Sequence, residues 1–146
     1  MSNKIYPIGI QNFEKIRKGG YCYIDKTAWI YQMVKTGSYY FLSRPRRFGK
    51  SLLLSTLEAY FQGKKELFEG LAIETLEKDW IKHPILHLDL NIEKYDVPES
   101  LDNILEKSLV AWEKLYGAEP SERSFSLRFA GIIQRACEKT GQRVVI

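Results

Sequence analysis

The sequence Arg44-Pro45-Arg46-Arg47-Phe48-Gly49-Lys50-Ser51 carries the strongest structural signal in this chain. Its last three residues match the end of the phosphate-binding pattern G-x-x-x-x-G-K-[ST], with Arg44 in place of the first glycine. An aromatic-rich run at 39–42, typical of a buried strand, precedes it, and a leucine-rich helical pattern at 50–62 follows it. A strand, a loop and a helix in this order favour phosphate binding at the helix N-terminus. The segment therefore predicts a nucleotide-binding loop.

The residue types in this loop suit a triphosphate and a magnesium ion. The N-terminus of a helix presents backbone N–H groups that have no intrahelical partner, together with the positive end of the helix dipole. Gly49 lets the backbone approach a phosphate, Lys50 is the predicted catalytic residue on the β- and γ-phosphates, and Ser51 is the predicted Mg²⁺ ligand. The predicted ATP-binding residues are Arg44, Pro45, Arg46, Arg47, Phe48, Gly49, Lys50, Ser51 and Leu52.

Other functions remain open for the same loop. A nucleic-acid-binding module could place the basic side chains of 44–50 on backbone phosphates. Against that alternative, the basic residues form one tight turn instead of a long stripe, and only Phe48 is interleaved with them. A small-molecule kinase would need an acceptor pocket that the sequence does not identify. The simplest alternative is a basic surface turn that caps an unrelated helix.

Further along the chain, strand and helix patterns alternate. Residues 85–90 and 143–146 are additional strand candidates, and helical spacing of apolar residues marks 98–116 and 121–139. Asp25 stands where an N-cap is expected, before a helical pattern that Gly37 ends. The order of elements predicts an α/β fold with a mostly parallel sheet.

Several stretches closely resemble the bacterial AAA-ATPase-like family, and together they cover essentially the whole chain. They are 7–13 (PIGIQNF), 23–27 (YIDKT), 40–52 (YFLSRPRRFGKSL), 57–61 (LEAYF), 70–73 (GLAI) and 87–90 (HLDL). In that family the sequence RPRRFGKS is the Walker A motif, so an arginine at position 44 agrees with the family's own pattern. The resemblance implies ATP and Mg²⁺ as ligands and ATP hydrolysis by the intact protein.

The resemblance also implies how the domain is organised. Residues 1–146 would be the N-terminal portion of one P-loop NTPase domain of three-layer α/β type, with lead-in helices at 1–38 and the P-loop core at 39–146. Family members continue with an acidic Walker B motif after a Val/Ile strand, and often with a nuclease-like PD-(D/E)xK domain that could contact nucleic acid. We therefore expect an incomplete domain, truncated at or before the Walker B strand. Such a fragment would be inactive as an ATPase and able to self-associate.

Two carboxylates are further candidates for the nucleotide site. In related ATPases a segment at the position of Asp25 lines the adenine, which makes Asp25 a candidate for base binding beside its role as a helix cap. Asp89 ends a strand candidate and could serve as the Walker B acid. Because the resemblance puts that acid after residue 146, a structural or capping role is favoured for Asp89.

Composition narrows the class of protein. The 146 residues carry a formal net charge of +4, an excess that fits a nucleotide partner without requiring DNA or RNA. Cys22 and Cys137 lie far apart and form no pair with metal-ligand spacing, which favours reduced thiols. No apolar run approaches the roughly 20 residues that span a bilayer, and no signal-peptide pattern is present. The sequence predicts a cytoplasmic protein without membrane contact.

Overall fold

A computed structural model describes residues 5–91 and 98–146 of the protein. The described residues form helices α1 (Phe13–Lys18), α2 (Thr27–Thr36), α3 (Lys50–Phe61), α4 (Ala72–Leu76), α5 (Ser100–Tyr116) and α6 (Phe125–Thr140), and a 3₁₀ helix, Lys65–Phe68. The chain divides into two compact units, Met1–Lys82 and His83–Ile146, and each is described by itself. Within the described ranges, no helix has the length and apolar character needed to cross a membrane.

Local capping explains where several of these helices begin. The Asn12 side chain accepts a hydrogen bond from the backbone N–H of Lys15 at the start of α1, and the Ser124 hydroxyl accepts one from Leu127 at the start of α6. Both satisfy an N–H group that has no partner within the helix. The helices predicted before Gly37, at 50–62, at 98–116 and at 121–139 are confirmed, with small shifts at their ends.

The first unit is built around an aromatic and aliphatic core. Phe13 of α1 packs against Phe68, with ring centroids 4.8 Å apart, and Phe68 packs against Trp80 at 5.1 Å. The buried members of this core are Phe13, Ile30, Ala59, Tyr60, Leu67, Phe68, Leu71 and Ile73. They come from every helix of the unit, and the core holds α3 through Ala59 and Tyr60.

Polar contacts join the helices of the first unit at its edges. The Ser55 hydroxyl of α3 accepts a hydrogen bond from the Phe13 backbone N–H, 3.0 Å away. The Arg17 guanidinium donates to the carbonyl of Leu67 at 2.7 Å and to that of Glu69. Arg17 thereby satisfies carbonyl groups at the end of the 3₁₀ helix, which lack partners within that helix.

The second unit packs α5 against α6. Its buried core consists of Leu86, Leu109, Trp112 and Ile132. Two bidentate ion pairs flank that core: Arg128 binds Glu113 with contacts of 2.6 and 2.8 Å, and Arg135 binds Glu122 with contacts of 2.6 and 3.0 Å. The first pair joins α6 to α5, and the second joins α6 to the segment that precedes it. Two parallel N–H···O bonds make each pair geometrically specific.

The predicted three-layer α/β fold with a mostly parallel sheet is wrong for the described residues, which contain helices and no strand. Of the three strand candidates, two contribute one isolated parallel bridge, between Ile85 and Val145. Its hydrogen bonds run from Leu86 N–H to the Val145 carbonyl at 2.8 Å and from Val145 N–H to the Pro84 carbonyl at 2.9 Å. A strand requires several consecutive bridge pairs, and in the described residues the two segments form a single pair.

The third candidate, 39–42, is a non-strand segment with exposed aromatic residues, and the prediction of a buried strand there is wrong. The Tyr39 and Phe41 side chains are 97% and 94% exposed. The Tyr40 hydroxyl instead donates a hydrogen bond to the Met33 carbonyl. The Tyr40 ring therefore lies beside Gly37 at the end of α2. The division into 1–38 and 39–146 stays a prediction.

Candidate functional site

The candidate site is built on the N-terminus of α3. Gly49 precedes the helix in a left-handed conformation, with φ of 77°, and no side chain caps this end. The first helical hydrogen bond runs from Leu53 N–H to the Gly49 carbonyl at 2.9 Å. The N–H groups of Lys50, Ser51 and Leu52 therefore have no acceptor inside the helix. Such a terminus attracts an anion through these donors and through the helix dipole.

Two side chains hold the loop before α3 in a closed shape. The Arg44 guanidinium donates to the Phe48 carbonyl at 3.4 Å, and the Lys50 ammonium donates to the Arg44 carbonyl at 2.9 Å. Both bonds join the start of the loop to its end. Arg44, which stands where the general pattern has glycine, thus takes part in loop closure through its side chain and its backbone.

Every residue from Ser43 to Ser51 is exposed, so a ligand can reach the whole loop. Arg47 adopts a left-handed backbone conformation with φ of 66°, as Gly49 does. Left-handed residues in such turns occur in anion-binding loops. The structure thus brings the predicted residues from Arg44 to Leu52 together on one loop and the first turn of one helix.

Comparison with known proteins identifies the family of this chain. The family model described as "Predicted AAA-ATPase" matches residues 7–146, which is nearly the whole chain. The chain belongs to the AAA-ATPase-like family.

A curated relative in the same comparison is an "Uncharacterized protein in vnfD 5'region" of Azotobacter chroococcum mcd 1. It is 40% identical over 148 residues, covering 100% of this chain and 28% of the relative. The chain thus spans about a quarter of the length of the curated relative that it matches. No solved structure matches the chain.

Asp25 lies in a network that joins two helices of this AAA-ATPase-like chain. Its Oδ1 accepts hydrogen bonds from the Thr27 backbone at 2.8 Å and the Thr27 hydroxyl at 2.6 Å, and its Oδ2 accepts one from the Ala72 N–H at 2.7 Å. The buried Thr27 hydroxyl in turn accepts a hydrogen bond from the Ile73 N–H at 3.1 Å. Asp25 therefore accepts hydrogen bonds from the backbone N–H of the first residue of both α2 and α4. The N-cap position of α2 is Lys26, one residue after the position expected from the sequence.

The ionisation of Asp25 follows from these bonds. Partial burial opposes its charge, but the hydrogen bonds from Thr27 and Ala72 outweigh that effect and lower the pKa of Asp25. Both carboxylate oxygens are engaged within the protein. Base binding by Asp25 stays a prediction, and the contacts describe a capping role.

Asp89 lies in the second unit and is exposed. Its Oδ1 accepts a hydrogen bond from the Asn91 backbone N–H at 2.9 Å, which forms a local turn. This contact agrees with the structural role favoured for Asp89 from the sequence.

A buried polar cluster near the C-terminal end of α3 is absent from the sequence predictions. The Glu77 side chain is only 4% exposed and accepts hydrogen bonds from the Tyr60 hydroxyl and from the N–H groups of Lys78 and Asp79, and it pairs with the Lys35 ammonium at 2.9 Å. Burial opposes the charge of Glu77, but these donors outweigh it and lower its pKa to about 2. The same cluster raises the pKa of Lys35, chiefly through its hydrogen bond with Glu77.

Glu77→Gln is expected to destabilise the first unit by about 2–3 kcal/mol at pH 7, because the amide cannot pair with the Lys35 ammonium. The folded pKa of about 2 lies below the ordinary value of 4.5, so the ionised Glu77 stabilises the fold above pH 4.5. That contribution, about 3 kcal/mol, is lost as the pH falls toward 2. Urea unfolding at pH 7 and pH 3 measures both effects, and the gap between variant and wild type should narrow at pH 3.

Glu69→Gln is the matched control, since Glu69 is an exposed glutamate of the same unit. It should change the free energy of unfolding by less than about 0.5 kcal/mol at either pH. Equal effects of the two substitutions at pH 7 would show that the buried cluster contributes nothing specific.

Proposed function

We propose that this chain binds Mg-ATP through residues 44–52 and that the intact protein hydrolyses ATP. The observation that carries the proposal is the uncapped N-terminus of α3, preceded by a closed loop that holds Gly49 in a left-handed conformation. Free N–H groups, a helix dipole and a lysine at the first helical residue together suit a chain of phosphates. Membership in the AAA-ATPase-like family supports a nucleotide as the ligand.

Each residue of the site has a distinct expected role. The backbone N–H groups at the start of α3 bind phosphate oxygens, and Lys50 exchanges its bond to the Arg44 carbonyl for bonds to the β- and γ-phosphates. Ser51 is exposed in the first turn of α3, where its hydroxyl can contact a Mg²⁺ ion that bridges these phosphates. The charge of the ligand is thus offset by one ammonium, one metal ion and the helix terminus.

Ser51→Ala tests the metal-binding part of this proposal. We expect its affinity for ATP in the presence of Mg²⁺ to fall by about 10-fold, because the metal loses one of its oxygen ligands from the protein. Affinity for ATP in EDTA should stay within about 2-fold of wild type, since no metal is then bound. Isothermal titration calorimetry with both buffers separates the two cases.

Ser126→Ala is the matched control, because Ser126 is an exposed serine in the first turn of α6. It should bind Mg-ATP as the wild type does. If Ser51→Ala also binds Mg-ATP with wild-type affinity, the assignment of Ser51 as a magnesium ligand is wrong.

Binding of single-stranded nucleic acid is the second candidate function, and the exposure of Tyr39, Phe41 and Phe48 favours it. Exposed aromatic rings next to arginine side chains are a common platform for stacking bases. A titration with salt distinguishes the candidates: affinity for an oligonucleotide should fall steeply with salt concentration. Mg-ATP binding should depend on Mg²⁺ and on Lys50 instead.

A further inference from the structure

We draw no further inference here: the strongest candidate, the exposed aromatic patch of Tyr39 and Phe41 in the segment between α2 and the loop before α3, carries nothing beyond the nucleic-acid contact already considered, because nothing in the structure shows what covers it.

Discussion

Lys50→Ala is expected to lower the affinity for Mg-ATP by at least about 100-fold, or roughly 2.8 kcal/mol. The substitution removes the ammonium that we place on the β- and γ-phosphates, where charge-assisted hydrogen bonds are strong. The fold should be retained, because Lys50 is exposed and the only hydrogen bond of its side chain among the described contacts is to the Arg44 carbonyl. Calorimetry and thermal unfolding on the same samples measure both outcomes.

Lys65→Ala serves as the control, because it removes an exposed lysine of the same unit that lies outside the loop. Unchanged affinity of Lys50→Ala would remove the nucleotide assignment. If Lys50→Ala and wild type bind an oligonucleotide equally and neither binds Mg-ATP, the basic loop is a nucleic-acid contact in which no single lysine dominates.

Phe68→Ala is expected to destabilise the first unit by about 3–5 kcal/mol. Phe68 is fully buried and lies between the rings of Phe13 and Trp80. Truncation to alanine removes the apolar contact of the ring and leaves a cavity between the remaining aromatic residues. Urea unfolding at pH 7 gives the change in the free energy of unfolding, and a large loss of stability is the expected result.

Phe41→Ala is the same substitution at a position that is 94% exposed. It should change the free energy of unfolding by less than about 0.5 kcal/mol, because no packed contact is removed. The pair of variants tests whether the side chains of residues 39–42 are exposed. An effect of Phe41→Ala as large as that of Phe68→Ala would show that the segment is buried, as the sequence pattern alone predicted.

At the candidate site, local patterns were sufficient to predict the loop and the helix that follows it. Gly49 and the leucine-rich run after it mark the start of α3, and the structure begins that helix at Lys50. The bonds that close the loop were not predictable, since the sequence places no constraint on where the Arg44 and Lys50 side chains turn. The cluster at Glu77 was missed because its partners Lys35 and Tyr60 lie far away in sequence.

The sheet is the largest difference between sequence pattern and structure. A short apolar run such as 39–42 has the composition of a strand, but strand formation requires a partner whose backbone lies alongside it. In the structure Tyr40 contacts the end of α2, and Ile85 pairs with Val145 through one bridge. Side-chain composition carries no direct record of such long-range pairings, which explains why the prediction of a parallel sheet failed.

The sequence by itself determined the features that depend on neighbours a few residues apart: the helices with apolar spacing, the end of α2 at Gly37, and the basic loop that ends in Gly49-Lys50-Ser51. Family membership also follows from the sequence. Tertiary structure decided the rest: that Asp25 joins α2 to α4, that Glu77 is buried and ionised, and that Arg47 takes a left-handed conformation. The physical reason is range, because helix propensity and capping act within about one turn, whereas burial and ion pairing depend on which distant segments meet.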